Sequence, residues 1–128
     1  MELKEYQQRA MTTCAESSNN FSYMMLNIVG EVGEFASKVA KAIRKDKLVI
    51  GGVKCNINPC SNELLINQVE GFDELESELK KEAGDILWQL SGLCSVMGWS
   101  LEDIAQMNLD KLASRKERGV IVGDGDNR

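Results

Sequence analysis

Residues 30–38 read GEVGEFASK, and residues 81–90 read KEAGDILWQL. Each stretch sets two carboxylates one helical turn apart, Glu31 with Glu34 and Glu82 with Asp85, in a run of mostly apolar and small residues. The apolar residues around them recur at helical spacing. Met24, Ile28, Phe35, Val39 and Ile43 share one face of a helix expected from Phe21 to about Arg44. Leu75, Leu79, Ala83, Ile86, Leu90, Leu93 and Met97 share one face of a second, expected from about Asp73 to Met97.

Working outward, Leu3, Tyr6, Ala10 and Cys14 predict an amphipathic helix over residues 3–17. Ser17, Ser18, Asn19 and Asn20 interrupt it, each a good N-cap for the helix that follows. That helix ends in the basic run RKDK, suited to the negative end of a helix dipole. Gly98 is a natural stop for the next, and Ser100 with Asp103 three residues on has the pattern of a capping box that opens a fourth helix to about Lys116. Gly119 ends that helix, and the remainder of 119–128 is too rich in glycine to be regular, which predicts a flexible tail. Residues 46–73 differ in kind: LVIGGVKCNI predicts two short β-prone runs about a Gly-Gly turn, NPCSN signals a loop, and Leu64, Leu65 and Val69 suit a short helix. The expectation is an all-α chain, a four-helix bundle forming a single domain over 1–128, with a longer excursion and a possible small hairpin between helices two and three.

Composition narrows the function. The chain has 128 residues, 43% hydrophobic and 27% charged, with a net charge of −5, which argues against nucleic acid as a partner. No run approaches the roughly 20 apolar residues of a bilayer span, and residues 1–20 lack the layout of a signal peptide, so the expectation is a cytoplasmic protein without a membrane partner. Cys14, Cys55, Cys60 and Cys94 are expected as reduced thiols, with a Cys55–Cys60 disulfide as the alternative. There is no histidine, which leaves no paired Cys and His set for zinc and no Glu-x-x-His for a di-iron bundle.

The carboxylates are the remaining signal. At about 100° per residue, each pair lies on the edge of its apolar stripe, with Lys38 between Glu31 and Glu34 in angle. A single E-x-x-E is what any solvated helix face carries. Two such pairs at the same angle to an apolar stripe, each with a costly mid-helix glycine between its members (Gly33, Gly84), point instead to four carboxylates converging. Two charges about 6 Å apart at an effective dielectric of about 20 repel by roughly 3 kcal/mol, so four ionised groups would oppose folding by roughly 15 kcal/mol without a counter-charge. A hard divalent cation with oxygen ligands is the natural one, and magnesium suits a site where phosphates and waters complete the shell. Asn108, Lys111 and Arg115, at i, i+3 and i+7, form a polar row on the fourth helix able to meet phosphate oxygens.

These features resemble the MazG-like nucleotide pyrophosphohydrolases, in the all-α NTP pyrophosphatase group that also contains the dimeric dUTPases. The resemblance lies in GEVGEFASK, KKEAGDILWQL, GWSLEDIAQMNLDKLASRKERG and GDGDNR. It implies a homodimer or homotetramer that hydrolyses nucleoside triphosphates to the monophosphate and pyrophosphate by metal-activated water, with Mg2+, or Mn2+ as a substitute. Glu31, Glu34, Glu82 and Asp85 would be the metal ligands, with Glu31 and Glu34 also catalytic. Lys38, Asn108, Lys111, Arg115 and Arg118 would approach the triphosphate, with Asn127 and Arg128 as weaker candidates. Residues 46–73 are longer than the short turn of many relatives. The alternative is a non-catalytic helical module that binds a nucleotide or a protein.

Overall fold

In a computed structural model, which describes residues 1–45 and 72–122, the chain is all-α: α1 (Leu3–Met11), α2 (Phe21–Arg44), α3 (Phe72–Val96) and α4 (Leu101–Glu117), with one 3-10 turn at Glu16–Ser18 and no strand among the described residues. The hairpin expected within 46–73 lies outside the described residues, apart from Phe72 and Asp73, which open α3. None of the described helices is long and apolar enough to cross a membrane.

Local chemistry sets the helix ends. α1 stops at Met11 rather than reaching residue 17: its last carbonyls accept from backbone N–H groups only three residues on, and side chains join them. The Thr12 and Thr13 hydroxyls donate to the Arg9 and Ala10 carbonyls, and the Trp88 indole N–H donates to the Ala10 carbonyl at 3.1 Å. Asn20 caps α2: its Oδ1 accepts from the Tyr23 N–H at 2.9 Å. Ser100 caps α4 by accepting from the Asp103 N–H at 3.2 Å. α3 and α4 end in the same motif. Gly98 (φ 72°) and Gly119 (φ 67°) adopt the left-handed conformation, and the next residue's N–H reaches back five residues, Trp99 to the Cys94 carbonyl and Val120 to the Arg115 carbonyl.

The chain divides into two compact units, Met1–Met25 with Trp88–Arg128, and Leu26–Leu87. In the first, Met24, Cys94 and Leu101 are buried, and Met24 packs over Gly92, where a Cβ would lie 2.6 Å from Met24 Cε. Burial raises the Cys94 thiol pKa, as expected of an inert core cysteine. Gln7 stitches α1 to the α3–α4 turn, donating to Ser95 Oγ and the Trp99 carbonyl while its Oε1 accepts from the Leu101 N–H.

In the second unit α2 and α3 lie side by side. Lys38 pairs with Glu78 and Glu82 while Glu31 clusters with Glu82 further along, so the two helices run antiparallel. Three stripe assignments differ from expectation. Ile43 is 41% exposed and Ala42 is buried in its place; Ala83 is exposed and its neighbour Glu82 is buried. The cause is the same on both helices: the inward direction is rotated towards the carboxylates, away from the centre of the apolar residues. Met97, beyond the end of α3, is exposed as well.

Candidate metal centre

Glu31 and Glu34 come from the middle of α2 and Glu82 from α3. One carboxylate oxygen from each lies within 4.8 Å of the other two. Glu82 is only 9% exposed, Glu31 is half-buried and Glu34 faces solvent. The fourth expected member, Asp85, is exposed and falls outside this triad, one turn beyond Glu82. Its charge still reaches Glu31, on which it exerts the largest like-charge effect. Burial pushes the Glu31 carboxyl above its ordinary pKa; the hydrogen bond from Asn27 opposes this, and the charges of Asp85, Glu34 and Glu82 add to it.

Two residues that the sequence reading passed over serve this cluster. Asn27, one turn before Glu31, donates from Nδ2 to Glu31 Oε1 at 2.9 Å and so fixes that carboxylate's orientation. Glu78, one turn before Glu82, lies 3.6 Å from the Lys38 ammonium. The i−4 spacing was visible in both cases, but their roles depend on what faces them across the helix pair. Lys38, expected at the triphosphate, is 3.3 Å from Glu82 Oε1, and that hydrogen bond is the main cause of its raised pKa.

Gly33 and Gly84 do not mark a close helix approach: a Cβ at either would meet nothing within 4 Å. They leave open surface between the paired carboxylates.

The basic candidates of α4 belong to the first unit. Asn108 and Lys111 are exposed, but Arg115 is 6% exposed, so the row does not form one solvated polar face; it runs from solvent into the interior. A full turn separates Lys111 from Arg115, and the inward side of α4 lies on the Leu101–Arg115 line, where the guanidinium's stem can pack. Arg118 is exposed at the helix end, its Nε donating to Ser114 Oγ at 3.3 Å. Asn127 and Arg128 lie outside the described residues.

The donor set is all oxygen, which suits a hard cation and excludes the soft thiolate and imidazole chemistry of zinc or copper. Converging carboxylates within 4.8 Å fit a small divalent ion both in charge and in span.

Comparison with known proteins identifies the family. The model of the MazG nucleotide pyrophosphohydrolase domain family matches residues 19–120, which include Glu31, Glu34, Glu82 and Asp85. The chain is also 37% identical over 113 residues to the Gene 37 protein of Mycobacterium phage L5, covering 88% of this chain and 81% of that one. No solved structure matches it.

Proposed function

Because the chain belongs to the MazG nucleotide pyrophosphohydrolase family, we propose that it hydrolyses nucleoside triphosphates to the monophosphate and pyrophosphate, using Mg2+ or, as a substitute, Mn2+ held by Glu31, Glu34, Glu82 and Asp85. The observation that carries this reading is the convergence of the Glu31, Glu34 and Glu82 oxygens within 4.8 Å on two antiparallel helices. A bound divalent ion would neutralise phosphate charge and acidify water beside it.

The chain's own residues divide the remaining work. Asn27 orients Glu31 by its hydrogen bond, leaving the second carboxylate oxygen for the ion. Glu34, on the solvent side, orients the attacking water and takes its proton. Glu82, buried, anchors the site, and Asp85 extends it towards the incoming phosphates. The open surface at Gly33 and Gly84 leaves room for a triphosphate. Asn108, Lys111, Arg115 and Arg118 are the residues proposed to meet phosphate oxygens.

A second copy of the chain is part of the proposal. Leu26 and Val29, 76% and 69% exposed, lie on the side of α2 turned away from Glu31, an apolar surface that a second copy would cover. Light scattering after gel filtration tests this.

The activity is tested by incubating the protein with a panel of NTPs and dNTPs plus Mg2+ and detecting pyrophosphate. Pyrophosphate release that stops on adding EDTA is the expected result. Nucleotide binding without turnover would replace the reading by that of a non-catalytic module, and release of orthophosphate alone would place the cleavage at a different bond.

A further inference from the structure

We propose that Lys38 is a tethered counter-cation that neutralises Glu82 when the metal site is empty and moves to Glu78 when an ion arrives. The proposal rests on the reading of Glu31, Glu34 and Glu82 as metal ligands. It starts from the placement of one ammonium between two carboxylates that differ in setting. Glu82 Oε1, 3.3 Å from Lys38 Nζ, belongs to the triad, and its side chain is 12% exposed. Glu78 Oε2, 3.6 Å away, lies outside the triad and is 55% exposed.

A buried carboxylate needs a partner, because its charge is costly to hold away from water. Without a divalent ion, Lys38 is that partner. A dication at the triad and an ammonium at Glu82 would compete for the same oxygen. Even in a water-like dielectric, their repulsion at about 6 Å changes an equilibrium about tenfold. The lysine has a four-carbon stem and already pairs with a second carboxylate one helical turn away, so a change of rotamer draws its charge off Glu82 while the Glu78 ion pair is kept. The fold therefore tolerates the empty site, and its affinity for the ion is lower than the carboxylates alone would give. Lys38 is a positioning residue, acting through Glu82.

The test uses Mn2+ alone, without nucleotide, measuring bound ion by electron paramagnetic resonance and thermal stability in EDTA and at saturating Mn2+. Lys38→Met should bind Mn2+ about tenfold more tightly than wild type and melt lower only in EDTA. Lys38→Arg, which keeps the charge, should bind Mn2+ within about threefold of wild type. Glu78→Gln, which removes only the exposed partner, should weaken binding by about threefold or more and gives a second test if Lys38→Met does not fold in EDTA. An unchanged Mn2+ affinity in Lys38→Met or in Glu78→Gln would overturn the exchange, as would an equal loss of melting temperature with and without the ion. If wild type and all variants take up no Mn2+, the metal-site reading falls and the exchange with it; binding by wild type with no response to these substitutions overturns the exchange alone.

Discussion

Replacing Glu31 by glutamine separates the cost of the empty site from its use. Glutamine keeps the shape and keeps an acceptor for the Asn27 hydrogen bond, so the change removes a charge and little else. At the 4.8 Å limit of the triad, a pair of carboxylates repels by about 1 kcal/mol in a water-like dielectric and about 3.5 kcal/mol at an effective dielectric of about 20. Glu31 takes part in two of the triad's three pairs, and exposure of Glu34 places that pair near the lower figure. In EDTA at neutral pH, Glu31→Gln should therefore be more stable than wild type by about 1–3 kcal/mol, or roughly 4–10 °C in melting temperature for a domain of this size.

The pH dependence follows from the raised pKa of Glu31. Between its ordinary value and the higher folded value, the folded state binds more protons than the unfolded one. Wild-type stability then falls as pH rises through that window, and the advantage of Glu31→Gln grows over the same range and levels off above it. Mg2+ offsets this advantage, since an ion at about 100 times its dissociation constant adds about 2.7 kcal/mol to a protein that binds it, and the variant has lost a ligand. Differential scanning fluorimetry across pH, with EDTA or with Mg2+, reads all of this. A variant no more stable than wild type in EDTA, or one stabilised equally by Mg2+, would refute the reasoning.

Asp85→Asn removes one of the four proposed ligands and should lower Mg2+ affinity and pyrophosphate release by about 10-fold or more; unchanged rates would remove Asp85 from the site. Gly92→Ala places a methyl group against Met24 and should destabilise the protein by about 1–3 kcal/mol in chemical denaturation. Gly33→Ala and Gly84→Ala, which meet nothing, should each stabilise by about 0.5–1 kcal/mol, and a simultaneous rise in KM would show that the open surface serves the triphosphate. Ser100→Ala removes the α4 cap and should cost about 1 kcal/mol, read as a shift in the denaturation midpoint.

Much of the fold was legible because its determinants lie within a few residues of one another. The Asn20 and Ser100 caps and the Gly98 and Gly119 stops are local chemistry, and they function as the pattern predicts. The end of α1 was misjudged because one of the groups that meet its last carbonyls, the Trp88 indole, comes from 78 residues away. In the site, the pairing of Glu31 with Glu34 and of Glu82 with Asp85 was visible as spacing. Their setting was not: taking the apolar residues alone as the inward direction placed Glu82 at an edge, and it is buried. The same error put Ile43 and Ala83 inside.

By itself the sequence determined the helices, their caps and the presence of two carboxylate pairs, because periodicity and capping are properties of short segments. Only the tertiary structure decided that Glu31, Glu34 and Glu82 converge while Asp85 stands outside, that Lys38 belongs to Glu82 and Glu78, and that Gly92, not Gly33 or Gly84, is the tight contact. The physical reason is angular. One residue of rotation about a helix axis is about 100°, enough to carry a side chain from the interior to solvent, and that rotation is set by how two helices distant in sequence pack together.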